Sequence, residues 1–214
     1  DLKGDTPPAI TLSCGERSEE DYRYLRKKGA DRYLLKHETA DPDLYDKLHP
    51  CGTLKQRVEC LKTLERLGYE TGSGFMIGLP GQTPESIADD LLLLREIPCK
   101  MAGIGPFIAH PKTPLSGEKN GDPELAKRAV AIARLLLPEA NLPLTTSLSV
   151  LSAEGARAPD NPFAFGANVI MKKVTPDKYK EAYEIYPAKF KPTNIIGDRT
   201  ELERLIRGFG RVPL

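Results

Sequence analysis

Two charged residues have the chemistry to bind opposite charges on a ligand. Glu38 follows an apolar run at the end of a predicted strand, where its carboxylate can make a charge-assisted contact with an ammonium group. Arg57 lies in the first turn of a predicted helix, and its guanidinium can clamp a carboxylate through two hydrogen bonds. The alternatives are a structural ion pair of Glu38 with Lys36 or Arg32, and a solvated position for Arg57 on its helix face.

Hydroxyl and thioether groups lie near the ends of other predicted strands. Ser13 and Thr11 end the first strand, where their hydroxyls can reach a bound ligand, although a turn before Gly15 would also explain them. Met76 lies inside a buried strand, and its thioether can pack either on a ligand or as a filler of the core.

A second set of possible donors consists of Arg32, Thr145, Thr146 and Tyr186. Arg32 lies in a strand, and the threonine pair ends another. Such donors fit an anionic ligand. The alternative for Tyr186 is a packing stripe, because the tyrosines of its segment have the i, i+4, i+7 spacing of one helix face.

The histidines and cysteines predict no metal site. His37 should face away from Glu38 along the strand and is interpreted as a structural histidine. The four cysteines lie on four segments without CxxC spacing, which predicts neither a zinc site nor a disulfide framework, so no metal ligand is expected in this chain. Cys14 is interpreted as a buried small residue and not as a nucleophile.

Alternating strand and helix patterns must position these residues. The predicted strands are short apolar runs at 9–13, 32–35, 74–78, 101–105, 144–148 and 168–171. The predicted helices cover 19–28, with Ser18 as a cap, then 56–67, a segment from Pro84 to Leu94, a segment from Pro123 to Pro138, and 201–207.

This alternation predicts an α/β fold with a parallel sheet, specifically a partial TIM-type (βα) barrel of about six strands with outer helices. Most strands run into polar or glycine-rich sequence, as the C-terminal ends at a barrel mouth do, and no GxGxxG motif follows the first strand. Because eight strands close a barrel, we expect two N-terminal βα units to be missing. The barrel is predicted over 1–190, with a C-terminal extension and short helix over 191–214.

Composition excludes several classes of protein. Of the 214 residues, 31 are Lys or Arg and 30 are Asp or Glu, so no excess of basic charge suggests nucleic-acid binding. No apolar stretch reaches the length of a membrane span, and the polar N-terminus does not suggest a signal peptide. With few cysteines and no disulfide pattern, a cytoplasmic location is expected.

Several segments together resemble a known family. They are DRYLLKHETA at 31–40, GYETGSGFMIGLPGQT at 68–83, GIGPFI at 103–108, Leu137-Pro138, Thr145-Thr146 and GANVIM at 166–171. In this order they resemble the HydE family of radical S-adenosylmethionine (SAM) enzymes, whose relatives include biotin synthase and the methylornithine synthase PylB. The resemblance runs from about residue 11 to about residue 186.

The resemblance implies a role for each candidate residue. Glu38 would bind the ammonium and Arg57 the carboxylate of SAM, with Ser13, Thr11 and Met76 also at the SAM site. The second set would line the far end of the barrel cavity, where anions and substrate bind; its members are Arg32, Thr145, Thr146 and Tyr186.

The resemblance also implies an activity. The family reduces SAM at a 4Fe–4S cluster to a 5′-deoxyadenosyl radical, which would act on a cysteine-bound iron carbonyl cyanide, a small organometallic substrate. The partners in FeFe-hydrogenase maturation would be HydG and HydF. The Cys-x3-Cys-x2-Cys loop that holds the cluster is absent from this sequence, so the chain alone is expected to be inactive.

Two alternatives remain open. The complete protein could be a methylornithine synthase or a biotin synthase-like radical SAM enzyme. The chain could also be a non-catalytic remnant that binds SAM or an anion.

Overall fold

Six parallel strands follow one another in chain order, as the sequence predicted. The computed structural model describes residues 8–97, 99–153, 161–180, 182, 186 and 194–213. Its strands are β1 (Thr11–Leu12), β2 (Arg32–Leu34), β3 (Glu70–Ile77), β4 (Met101–Pro106), β5 (Pro143–Leu144) and β6 (Val169–Ile170). The first four form one sheet in the order β1-β2-β3-β4, and β5 and β6 form a second pair. An isolated parallel bridge between Met101 and Asn141 links the two groups.

At least one helix follows each strand. They are α1 (Glu19–Lys27), α2 (Pro42–Leu48), α3 (Leu54–Arg66), α4 (Pro84–Glu96), α5 (Pro123–Leu136), α6 (Thr146–Ala153), α7 (Asp177–Lys180) and α8 (Ile195–Gly208). A 3-10 turn covers Pro162–Phe165. The result is an open α/β array of parallel strands, and among the described strands β1 pairs with β2 alone. Ile10 beside this edge is exposed.

Local sequence signals set the helix starts. Ser18 forms a capping box with Asp21 at the start of α1, and Thr53 forms one with Gln56 at the start of α3. Each side-chain oxygen accepts from a backbone N–H that has no partner within the helix, which stabilises a helix by about 1 kcal/mol. The prediction of a cap at Ser18 is therefore confirmed.

The two faces of the sheet carry different residues. Tyr33 on β2 and Leu35 directly after it are buried in the main core, which also contains Leu61 and Leu64 of α3. The opposite face, called the inner face here, carries Leu34 and the residues that alternate with the core set. Alternation along a strand therefore separates helix-packing residues from those that face the barrel interior.

Glycines on the inner face of β3 and β4 let neighbouring side chains approach the strands closely. Gly72 and Gly103 lie at inner positions of the two strands, and an added Cβ on Gly72 would meet the side chains of Met101 and Leu34. At Gly105 an added Cβ would collide with the hydroxyl oxygen of Thr145. Small residues here let neighbouring groups approach the strand closely.

Three sequence predictions need correction. The strand predicted over 144–148 is wrong beyond Leu144, because Thr146 begins α6. The helix α2 was not predicted, since its seven residues give too short a pattern, although Asp41 and Pro42 are a typical helix start. The C-terminal helix is also longer than predicted, since α8 begins at Ile195.

The C-terminal helix contacts the strand-bearing part of the chain. Phe209, which follows α8, lies edge-to-face with Phe163, with ring centroids 6.2 Å apart. The predicted division at residue 190 falls within 187–193, outside the described residues. None of the described helices is long and apolar enough to cross a membrane.

Candidate functional site

Glu38 is held at the C-terminal end of the sheet by hydrogen bonds to β3. Its N–H donates to the carbonyl oxygen of Gly74 at 3.0 Å, and its carbonyl oxygen accepts from Met76 N–H at 3.1 Å. These bonds extend the parallel pairing beyond β2, with an isolated bridge to Phe75. The carboxylate therefore projects from the strand end where the sequence predicted it.

The backbone of Glu38 is strained. Its φ is 68°, the only positive value for a non-glycine residue in the described part of the chain. For an L-residue this conformation costs roughly 1–2 kcal/mol, and it persists only where the surrounding structure determines it. Such residues are concentrated at functional sites, which marks Glu38 as a candidate on geometry alone.

The carboxylate of Glu38 already has a cationic neighbour. Lys36 Nζ lies 3.1 Å from Oε2, and the two side chains are 28% and 34% exposed. The ion pair with Lys36, considered from the sequence, is thus present, whereas Arg32 pairs with Glu70 on β3. Because a third of the Glu38 side chain stays exposed, its carboxylate can still accept from a ligand.

Arg57 lies within a polar cluster and is only 11% exposed. Its Nε lies 2.7 Å from Oε1 of Glu16 and donates to the hydroxyl of Tyr45 at 3.0 Å. Its Nη2 lies 2.8 Å from Nε2 of His49. The alternative of a solvated arginine is therefore wrong, and the guanidinium is fixed from three sides.

The contact with Arg57 determines the tautomer of His49. A guanidinium nitrogen can only donate, so Nε2 of His49 accepts and the proton of a neutral ring lies on Nδ1. Nδ1 of His49 is buried and has no hydrogen-bond partner. Oε1 of Glu16 and Oε2 of Glu38 are also buried without a hydrogen bond, although each belongs to an ion pair. These are three of the five such atoms among the described residues, so unused hydrogen-bonding capacity is concentrated here.

Tyr45 connects the two charged candidates. Burial is the largest influence and raises the pKa of its hydroxyl, and the carboxylates of Glu16 and Glu38 raise it further, while Arg57 opposes them. The phenol therefore stays protonated at neutral pH and provides a donor. Glu38 and Arg57 thus both act on this one hydroxyl, and their convergence on a single ligand stays a prediction.

The other predicted SAM residues lie at different heights along the sheet. Met76 hydrogen-bonds through its N–H to Glu38 and packs beside the apolar cluster of Leu44, Leu79 and Phe107. Ser13 follows β1 and is exposed. Thr11 begins β1 in register with Arg32, at the opposite end of the sheet from Glu38.

The second predicted set does not form one cluster. Arg32 is in register with Glu70, the first residue of β3. Thr145 lies against Gly105, which is in register with Met76, six residues further along β3. At the usual strand rise this separation is about 20 Å. Arg32 borders a cavity of about 1070 Å³ that α8 helps to line, far from Glu38.

The remaining members of that set have local roles or isolated positions. Oγ1 of Thr145 accepts weakly from Leu148 N–H at 3.4 Å, as a helix cap does, and Thr146 begins α6 instead of ending a strand. Tyr186 is half-buried, and the residues on both sides of it lie outside the described ranges.

Sequence reasoning missed three residues of the site and gave a fourth only a structural role. Glu16, Tyr45 and His49 surround Arg57, and Lys36 pairs with Glu38. Tyr45 and His49 have the i, i+4 spacing of one helix face, a signal that required α2 to be recognised. Lys36 was considered only as a structural partner.

His37 is a fully buried structural residue, as predicted. Its Nδ1 lies 3.0 Å from Oγ of Ser73, and its Nε2 lies 3.2 Å from Oδ1 of Asp90. The ring faces the helix α4 side of the sheet, opposite to the Glu38 carboxylate.

The cysteines of this chain do not fit a 4Fe–4S cluster. Cys14 is exposed, which corrects the prediction of a buried residue, and Cys51 is also exposed. Burial raises the pKa of Cys60, and it raises the pKa of Cys99 to about 12, so both favour the thiol over the thiolate that iron requires. Within the described residues no three His, Cys, Asp or Glu side chains are grouped to hold a metal ion.

Sequence comparison finds relatives of this chain. Residues 6–94 match the radical SAM superfamily. The chain is 50% identical over 181 residues to the [FeFe] hydrogenase maturase subunit HydE of Thermotoga maritima. The aligned region covers 85% of this chain and 51% of that protein. It is 28% identical over 144 residues to biotin synthase of Persephonella marina, covering 67% of this chain and 42% of the relative.

Solved structures show the same fold. The crystal structure of methylornithine synthase (PylB) matches with a TM-score of 0.74 at 20% identity, over 96% of this chain and 59% of that one. HydG, a maturase of the [FeFe]-hydrogenase, matches with a TM-score of 0.56 at 19% identity, over 76% of this chain and 37% of that one.

The chain spans about half the length of the HydE relative and less of the biotin synthase. The matched segment includes Glu38, Arg57 and the residues around them. Residues 6–94 of this chain therefore resemble the radical SAM superfamily, and the parallel strands have the fold of these solved structures.

Proposed function

We propose that the protein to which this chain belongs is a HydE-like radical SAM enzyme of FeFe-hydrogenase maturation. The identity of 50% to a HydE maturase over 85% of the chain supports this assignment. The observation that supports the binding site is that Glu38 and Arg57 both act on the hydroxyl of Tyr45, Arg57 by a hydrogen bond and Glu38 by its charge.

The residues of this site fit the amino-acid end of SAM. Its ammonium needs an acceptor, and the partly exposed carboxylate of Glu38 supplies one. Its carboxylate needs donors, and Arg57, with the unpartnered Nδ1–H of His49 beside it, supplies them. When bound at a reduced 4Fe–4S cluster, SAM supplies the 5′-deoxyadenosyl radical for the family's chemistry. The cluster would be held outside this chain, because its own cysteines do not fit one.

The substrate is proposed to be a cysteine-bound iron carbonyl cyanide precursor delivered from HydG, with the product passing toward HydF. The inner face of β4 supports a ligand of this kind, because Gly103 leaves room beside its strand. Lys36 and Thr145 contribute a cation and a hydroxyl near this space. An anionic organometallic group matches these partners in charge.

The test is SAM binding and turnover by the full-length, cluster-loaded protein under anaerobic conditions. Glu38→Gln and Arg57→Met should each weaken SAM binding about 10-fold or more, because a hydrogen bond between charged groups contributes about 1.5–3 kcal/mol. Arg23→Met, at an exposed position on α1, is the control and should leave the affinity unchanged. Affinities that match the wild type in both site variants would refute the assignment.

Turnover distinguishes the proposed activity from its alternatives. Reductant-dependent 5′-deoxyadenosine with the iron precursor and not with dethiobiotin or lysine supports a HydE-like activity. Product from dethiobiotin or from lysine would identify a biotin synthase or a methylornithine synthase instead. SAM binding without 5′-deoxyadenosine would identify a non-catalytic binding protein.

A further inference from the structure

A closed polar network lies directly behind Glu38, on the core side of the sheet. His37 and Asp90 are both completely buried, and they contact each other through Nε2 and Oδ1 at 3.2 Å. Oδ1 of Asp90 also accepts from the backbone N–H of Ala40. One carboxylate on α4 thus binds residues on both sides of Glu38 in the chain.

The network also fixes the strand that faces Glu38. Nε2 of Gln82 donates to Oδ2 of Asp90 at 3.4 Å and to the carbonyl oxygen of Met76 at 2.8 Å. Oε1 of the same Gln82 side chain accepts from Gly78 N–H at 2.6 Å. Met76 in turn donates its N–H to Glu38, so the contact that holds Glu38 to β3 is connected to Asp90 through a single glutamine.

Every polar atom of the network has a partner. If Nε2–H of His37 donates to Asp90, Nδ1 accepts from the hydroxyl of Ser73, whose oxygen also accepts from His37 N–H at 3.3 Å. None of these side chains is among the buried atoms without a hydrogen bond in the described structure. A fully satisfied buried network is rigid and specifies a single arrangement.

Core packing alone does not explain a carboxylate at this position. A completely buried charge is costly, and an apolar side chain of similar volume would usually stabilise a core as well or better. Burial indeed raises the pKa of Asp90, against the hydrogen bonds from His37, Ala40 and Gln82 that lower it. The network flanks the one strained non-glycine residue of the described chain, which needs its surroundings to hold it.

We propose that Asp90 and His37 are positioning residues for Glu38: they hold its left-handed backbone so that the carboxylate meets the ammonium group of SAM. This inference rests on the proposed function, because it needs Glu38 to bind that group. Neither residue touches the ligand, and both act through the backbone on either side of Glu38.

The test uses the full-length, cluster-loaded protein with two probes, SAM and 5′-methylthioadenosine. The second probe shares the adenosine part of SAM but lacks both the ammonium and the carboxylate, so it reports an intact fold and nucleoside site. Asp90→Asn should weaken SAM binding about 10-fold or more, as loss of an outer partner does for metal ligands, and should leave 5′-methylthioadenosine binding unchanged. Asp89→Asn, at the exposed neighbouring position on α4, is the control and should change neither.

A double-mutant cycle identifies the route of the effect. In the Glu38→Gln background, Asp90→Asn should weaken SAM binding by less than twofold, because its target is already removed. If Asp90→Asn does not fold, Gln82→Met removes only the half-buried arm of the network and should give the same probe-specific loss. Equal losses for both probes, or independent effects in the cycle, would overturn the inference in favour of general core stability.

The same measurements separate this inference from the proposed function. A Glu38→Gln protein that binds SAM normally would overturn the proposed site and the inference with it. A Glu38→Gln protein that loses SAM, beside an Asp90→Asn protein that keeps it, would overturn the positioning role alone.

Discussion

Arg57 and Glu16 form an ion pair that joins the first turn of α3 to the segment after β1, with Nε 2.7 Å from Oε1. The pair is mostly shielded, since the two side chains are 11% and 28% exposed. A ligand carboxylate at Arg57 must therefore bind beside an existing carboxylate. The remaining donors of the guanidinium, and the Nδ1–H of His49, favour that arrangement.

The shielding of this pair can be measured as a coupling energy. In a double-mutant cycle with Glu16→Gln and Arg57→Met, the coupling in the free energy of unfolding should be about 1–2 kcal/mol, because little water competes for the contact. The control cycle is Glu19 with Arg23, a pair of the same chemistry at 2.6 Å whose side chains are more than half exposed. It should give about 0.3–0.5 kcal/mol. Equal couplings in urea unfolding would show that burial does not strengthen the Glu16 pair.

The strain at Glu38 predicts an unusual order of stabilities. Glu38→Gly should be more stable than Glu38→Ala by about 1 kcal/mol, because glycine adopts a positive φ without steric cost. At the exposed helical residue Glu65 the order should reverse, with glycine less stable than alanine by about 1 kcal/mol. Chemical denaturation of the four variants measures both differences. Alanine and glycine of equal stability at position 38 would mean that the backbone there relaxes.

Two glycines on the inner face of β4 should respond differently to a methyl group. An added Cβ on Gly105 would collide with Thr145 and Ser147, whereas on Gly103 its nearest neighbours are 4.0 Å away. Gly105→Ala should therefore lower the free energy of unfolding by about 1–3 kcal/mol, the usual cost of overpacking. Gly103→Ala should be tolerated. If both variants unfold at the same denaturant concentration, Thr145 does not approach the strand as closely as described.

The sequence predicted the repeating order and the cap signals better than the site. Ser18 and Pro84 marked helix starts correctly, because capping depends on residues within one turn. Glu38 and Arg57 were selected by type and by resemblance, and both influence the hydroxyl of Tyr45.

The contacts that complete the site depend on long-range packing, so sequence patterns did not predict them. Glu16 meets Arg57 across 41 positions of the chain, and His37 meets Asp90 across 53. No periodicity encodes contacts between separate βα units. The short helix α2, which supplies Tyr45 and His49, also fell below the length at which a helical pattern is distinct.

The cysteines give a prediction about reactivity. At pH 8 a thiol reagent should label Cys14 and Cys51 rapidly, because both are exposed, and Cys60 more slowly, because burial raises its pKa. Cys99 should react only when the protein unfolds. Mass spectrometry of labelled peptides over time distinguishes the four. Labelling of Cys99 at the rate of Cys51 would contradict its buried position.

The same buried thiol makes stability depend on pH in the alkaline range. Burial raises the pKa of Cys99 to about 12, whereas an unfolded cysteine ionises near 8.5. Between these values the folded protein keeps the proton that the unfolded chain releases, so the contribution of Cys99 is full below about pH 8.5 and is lost as the pH rises toward 12. Within this window the free energy of unfolding of the wild type should therefore fall with pH more steeply than that of Cys99→Ala, by up to about 1.4 kcal/mol per pH unit. Because the tyrosines titrate in both proteins, the difference between their urea unfolding curves isolates the thiol. Parallel stability profiles from pH 8 to pH 11 would show that Cys99 ionises in the folded protein as readily as in the unfolded chain.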